Sequence, residues 1–223
     1  MKATKKNLII ICVSFVLVLT TILILTITTK KRVSDTQTVA FVNGSPIAFA
    51  ELKMAAESCK SQVVTYFYNT YEAEQGEKFW EKVYGEETPN EKLWSLALDE
   101  AVRYKTEQLM MVDYGVVKDI SYKTYYKSFI AENKRRLKAI KNDKIIYGPE
   151  QYTLKTYFDY VHNNRLIELK DCINKEVSGN DVVDYSSENF KVKYAKVRET
   201  VKIKEVKDVA EKLKSDFYDI AFS

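Results

Sequence analysis

TPNEKLWSLALDEAVRYKTEQLMMVDYG, residues 88–115, carries both ends of a helix and its inward face in one stretch. Thr88-Pro89-Asn90-Glu91 combines a capping box with proline at the first helical position, where the missing N–H is no loss. Trp94, Ala97, Leu98, Ala101, Val102, Leu109 and Val112 then recur on one helical face, and Gly115 supplies the stop. With six glycines and three prolines in 223 residues, long helices are the economical reading, and the fold class is mainly α.

Toward the N-terminus, residues 72–87 form an irregular, glutamate-rich connection containing Phe79, Trp80, Val83 and Tyr84. Before it, Ser45 as cap and Pro46 as first residue predict a helix that runs to about Tyr71. Thr38-Val39-Ala40-Phe41-Val42 reads as a short β-strand, and Asn43-Gly44 as the turn that ends it. Toward the C-terminus, a helix begins after Ser121, and Gly148-Pro149 starts another that ends near Gly179. A short helix over 181–190, a strand over 201–206 and a last helix over 208–220 complete the expected order.

At the start of the chain, residues 8–29 hold twenty-two residues without a charge, between Lys5-Lys6 and Lys30-Lys31-Arg32. A helix of that length spans about 33 Å, so the expectation is an uncleaved transmembrane helix over 8–29, with 1–7 as a cytoplasmic tail and 30–37 as a linker. A cleavable signal peptide is the rival reading, but the run is long for one and no small-x-small site follows it. Cations flank both ends, so charge alone does not choose an orientation. A first apolar segment usually doubles as an export signal, which favours a single-pass cell-membrane protein with its bulk on the extracytoplasmic side.

Val42-Asn43-Gly44, Ile47 and Glu51-Leu52 together resemble the opening of the N-terminal domain of SurA/PrsA-type folding factors. Leu93-Trp94 to Glu107, Tyr114-Gly115, Asn133 with Arg135-Arg136, and Tyr147-Gly148-Pro149 with Tyr157-Phe158 are similar to the helical remainder in Gram-positive members. The resemblance covers residues 38–195 and implies a chaperone domain of SurA N-terminal type. It also implies a following parvulin-type prolyl isomerase domain. Residues 196–223 resemble the first helix of one, and the 28 residues after Ala195 are too few for its catalytic pocket. The expectation is therefore a family member without isomerase activity.

The charges do not point to nucleic acid. The formal net charge is +4, and once the six cations flanking residues 8–29 are set aside the acidic residues slightly outnumber the basic. Lys and Glu are interleaved throughout, as on a solvated helical surface. No Cys or His pair has metal-ligand spacing, the glycines are isolated, and no nucleophile stands beside a base, so no catalytic residue, cofactor or metal is expected. His162, the one histidine, reads as a packed or surface side chain, and Cys59 and Cys172 as free thiols on inward faces.

Sixteen tyrosines and ten phenylalanines are the compositional oddity. Most must fill the core, but so small a domain cannot bury them all, and accessible rings hold varied polypeptide well. Tyr66, Phe67, Tyr122, Tyr125, Tyr157 and Tyr160 are the candidate peptide-binding residues. The expected function is chaperone-like binding of unfolded or newly exported polypeptide clients, with the bilayer as a second partner through residues 8–29. Three alternatives stay open: a truncated or inactive isomerase-family member, a fixed scaffold of a membrane complex, and a homodimer as the assembled state.

Overall fold

In the computed structural model, which describes residues 33–178 and 187–222, the helix over 88–115 is where its caps place it. We number the elements in chain order: strands β1 (Thr38–Val42), β2 (Ser45–Ala48) and β3 (Ile203–Glu205), with helices α1 (Phe49–Tyr71), α2 (Pro89–Asp113), α3 (Tyr122–Lys141), α4 (Leu154–Ser178), α5 (Glu188–Thr200), α6 (Lys207–Leu213) and α7 (Phe217–Phe222). At the start of α2 the Thr88 hydroxyl accepts from the Glu91 N–H at 3.2 Å, and the Glu91 carboxylate accepts from the Thr88 N–H at 3.1 Å. At its end Gly115 takes φ +72, a left-handed turn that lets the Val116 N–H reach back to the Met111 carbonyl at 2.8 Å. Between these caps Leu93, Trp94, Ala97, Ala101, Val102, Met110 and Met111 are buried, and α1 is the main partner of that face.

Where a helix was expected at Ser45-Pro46, the chain is a strand. Asn43 (φ 48) and Gly44 (φ 82) both take positive φ, the geometry of a two-residue hairpin turn that matches strand twist. Ser45, Pro46 and Ile47 therefore pair back on Val42, Phe41 and Ala40. The sheet order is β2-β1-β3, so Pro46 sits on an edge strand, where its missing N–H breaks no ladder. The helix begins four residues later than Ser45, and Glu51 reaches back to accept from the Ala48 N–H at 2.8 Å. The strand expected over 38–42 is thus the centre of a three-stranded antiparallel sheet, whose third strand lies within the one expected over 201–206.

The membrane-spanning part of the expected fold class, and the single-pass localisation with it, is corrected. Among the described residues no helix is long and apolar enough to cross a membrane. The longest are amphipathic, as α2 is with Lys92, Asp99, Glu100 and Arg103 on the side away from its buried face. Residues 8–29, where the anchor and lipid contact were expected, lie outside the described residues. Two further boundaries differ. Helix α4 starts at Leu154 and not at Gly148-Pro149, and Glu188–Thr200 is one helix where residues 181–190 were expected to hold a shorter one. Residues 179–186 lie outside the described residues.

From Ser34 onward the described chain packs as one unit, and its C-terminal segment closes it. Strand β3 pairs with β1, and the Asn43 side chain accepts from the Lys202 N–H at 2.8 Å. At the start of α2, buried Asn90 donates to the Ser215 carbonyl at 2.7 Å and accepts from the Tyr218 N–H at 2.8 Å. Phe217, fully buried, sets its ring edge-on to Trp94 at 5.1 Å, and Tyr218 stacks on Trp80 at 4.1 Å.

Candidate functional site

The candidate peptide-binding residues separate into two aromatic groups. Phe67 is fully buried and contacts Tyr66, Tyr71, Phe79 and Tyr84, so it belongs to the core. Tyr66 is half-buried and spends its hydroxyl on Glu87 at 2.5 Å, with Tyr71 donating to the same carboxylate at 3.2 Å. These hydrogen bonds hold the Glu87 carboxyl below its ordinary range, Tyr66 being the largest cause. Rings engaged in this way brace the 72–87 connection.

The other four converge on the α3–α4 pair. Tyr122 packs on Ala48 and Ala50 and fixes the start of α3 to the body. Tyr125 lies 5.6 Å from Tyr157 and donates its hydroxyl to the Leu154 carbonyl at 2.6 Å, joining the two helices at their near ends. Farther along, Asn133 donates to the Tyr152 carbonyl at 3.0 Å and accepts from the Tyr152 N–H at 2.8 Å. The Arg136 guanidinium, 4.6 Å from the Tyr152 ring, donates to the Tyr147 carbonyl at 2.6 Å and to the Pro149 carbonyl. Gly148, at φ +82, makes the turn that presents both carbonyls to Arg136. This clamp holds the residues before Leu154 out of helix, which is why Pro149 does not open α4. Tyr160 completes the group, 55% exposed and stacked on Tyr152 at 5.9 Å.

A second set of apolar side chains lies outside the candidate residues, including Leu137, which helical period alone groups with Tyr122 and Phe129. Tyr126 (43% exposed), Ile130 (47%) and Leu137 (39%) point outward from α3, and Ile145 and Tyr147 are largely exposed in the connection beyond it. At about 100° per residue the first three fall within about 40° of one another on the helix. Their spacing of four and seven is the signal that could have disclosed them. The lysines between them make the segment read as an ordinary solvated face.

At the base of the pair a cavity of about 70 Å³ is lined by Met111, Ile120, Tyr125, Phe158 and Arg165, among others, enough for one small side chain. Beneath it His162, buried and not at the surface, lies 2.6 Å from the Glu107 carboxylate, which also accepts from Arg103 at 2.6 Å. Arg103 forks onto Glu100 at 2.6 and 2.8 Å and holds that carboxyl below its usual range. The network ties α2 to α4 through the Glu107–His162 hydrogen bond. Cys59 and Cys172 are both free; burial pushes the Cys59 thiol up to about 11, which keeps it protonated and unreactive, while Cys172 is half-buried. Among the described residues no three His, Cys, Asp or Glu side chains converge as a metal centre requires.

Burial pushes the hydroxyls of Tyr122 and Tyr125 above their ordinary value and that of Tyr104 to about 12. A raised folded pKa stabilises fully below the unfolded value of 10, and the contribution is lost as pH rises from there toward the folded value. The melting temperature is therefore expected to hold level from neutral pH to about 9 and to fall above about 10. Tyrosinate absorbance recorded in the same titration checks it. Ionisation of these rings near 10 in a chain that stays folded would contradict the burial argument.

Fold and surface together define a mainly helical body with a small sheet and one helix pair that exposes apolar and aromatic side chains. No protein-family model matches the chain, and no solved structure matches it. Over 95 residues it is 32% identical to a protein of Bifidobacterium longum subsp. longum named "Chaperone for lacto-N-biosidase". The match takes in 43% of this chain and 34% of that protein, so the chain spans at most a part of the relative's length. It does not reach the SurA/PrsA-type family that the sequence resembles.

Proposed function

We propose that the chain is a chaperone-like protein that holds polypeptide segments of a client on the exposed side of the α3–α4 pair. The observation that carries this reading is the run of outward apolar side chains on α3, continued by Ile145, Tyr147 and Tyr160, on a helix pair whose geometry is set independently by the Asn133 and Arg136 clamps. Half-exposed rings offer apolar area with little conformational entropy to lose and a hydroxyl for whatever polar group arrives. The resemblance of the sequence to SurA/PrsA-type folding factors suggests unfolded or newly exported polypeptide as the client class, though the Asn43-Gly44 turn leads into β2 before the first helix begins. A dedicated client is the second reading, favoured by the relative, which is named for a single enzyme.

The test is suppression of aggregation of a thermally unfolding client by the full chain, compared with Tyr126→Ser, Ile130→Ser and Leu137→Ser combined. These positions are 39–47% exposed, so the variant is expected to keep its melting temperature and to lose most of the protection. Undiminished protection by a folded variant would remove the α3 face from consideration. Protection of several unrelated clients favours the general holder, and protection of one alone favours the dedicated chaperone.

A further inference from the structure

Beside the apolar row of α3 runs a row of lysines. Lys123, Lys127, Lys134, Lys138 and Lys141 are all exposed, and at about 100° per residue they occupy the 60° or so of helix surface adjoining Tyr126, Ile130 and Leu137. The ion pairs that α3 makes are those of Arg135 and Arg136 with Glu132; among the described residues the five lysines make none. Over residues 122–150 the acidic residues are Glu132, Asp143 and Glu150, against eight cations, while acidic residues outnumber basic ones over the rest of 33–223. The positive charge of the described body is thus concentrated on the element that exposes the apolar row.

We propose that this double row binds an extended polypeptide segment in which acidic and apolar residues alternate. The inference rests on the chaperone reading above and names the chemistry of the client segment. Side chains four apart on a helix recur about every 6 Å, and alternate side chains of an extended chain about every 6.6 Å. A strand laid along the line between the rows turns one set of side chains to Tyr126, Ile130 and Leu137 and the other to the lysines. From Lys123 to Lys141 the row runs about 27 Å, the length of about eight extended residues. A second copy of the chain is a poor occupant, because it would bring its own lysines to the row. An anionic bilayer fits less well than a peptide, since an apolar strip of about 40° is narrower than the roughly 100° face with which a helix buries itself.

The experiment uses the full chain and labelled peptides of about ten residues that alternate Leu or Tyr with Glu, with Gln or with Lys, read by fluorescence anisotropy at two salt concentrations. The Glu peptide is expected to bind about tenfold tighter than the Gln peptide, with the advantage shrinking as salt rises. Lys127→Glu, Lys134→Glu and Lys138→Glu together are expected to abolish the advantage and transfer it to the Lys peptide. All three positions are solvent-exposed, and an unchanged melting temperature confirms that the variant is folded. Equal affinity of the folded variant for the Glu peptide overturns the proposal. So does uptake by phosphatidylglycerol vesicles that the reversal abolishes while no peptide binds. Aggregation suppression that depends on Tyr126, Ile130 and Leu137 but not on the lysines overturns the acidic preference alone. A wild-type chain that suppresses no aggregation overturns the reading beneath it.

Discussion

Glu51→Ala is expected to destabilise the folded chain by about 3–5 kcal/mol, through a residue that touches none of the candidate binding surface. The Glu51 carboxylate has two tasks. One oxygen accepts from the Ala48 N–H at 2.8 Å and caps α1; the other accepts from Lys105 on α2 at 2.7 Å. The Lys105 side chain is 3% exposed and that of Glu51 11%, so alanine leaves a cation inside the protein with neither water nor counter-charge. Lys105→Met should cost clearly less, since it removes the buried charge itself and leaves Glu51 with the Ala48 N–H as a partner. Denaturant unfolding followed by helical circular dichroism measures both, read as a shift in midpoint at constant slope. A loss below about 1 kcal/mol for Glu51→Ala would mean that Lys105 finds water or another acceptor.

Phe217→Ala is expected to cost about 3–5 kcal/mol as well, this time through a cavity. Phe217 is fully buried against Trp94, with Leu213 buried one turn before it, and its segment is tied to α2 by the two hydrogen bonds of Asn90. The two tryptophans of the chain report on this joint: Trp94 contacts Phe217 and Trp80 stacks on Tyr218. The variant should therefore shift tryptophan emission to the red and lower the unfolding midpoint together. Unchanged emission with an unchanged midpoint would show that residues 203–222 are an appendage and not part of the core.

Features written in contiguous residues were legible. The capping box of Thr88 and Glu91, the stop at Gly115, the turn at Asn43-Gly44 and the start of α3 after Ser121 all rest on bonds between near neighbours, and each is found where local chemistry puts it. Features decided by distant partners were not. Ser45-Pro46 suits a helix start as well as an edge strand, and pairing with β1 chose the strand. Gly148-Pro149 suits a helix start too, but Asn133 and Arg136 hold residues 147–152 out of helix. The candidate site was half legible for the same reason. The structure gathers Tyr122, Tyr125, Tyr157 and Tyr160 on the α3–α4 pair, which sequence clustering alone does not disclose, whereas Tyr66 and Phe67, adjacent in sequence, are spent on Glu87 and on the core. The outward row of Tyr126, Ile130 and Leu137 was hidden by the lysines that make it distinctive.

The pairing of β3 with β1 bears on how the protein is born. Lys202 meets Asn43 across 159 residues, so β1 leaves the ribosome long before its second neighbour exists. Until then β1 is an open strand edge carrying Val39, Phe41 and Val42, the kind of edge that recruits other chains. Closing so distant a contact is also slow compared with the local hairpin to β2. The folding chain thus passes through a stage in which it presents an aggregation-prone edge of its own, and its yield should depend on how quickly residues 202–222 arrive.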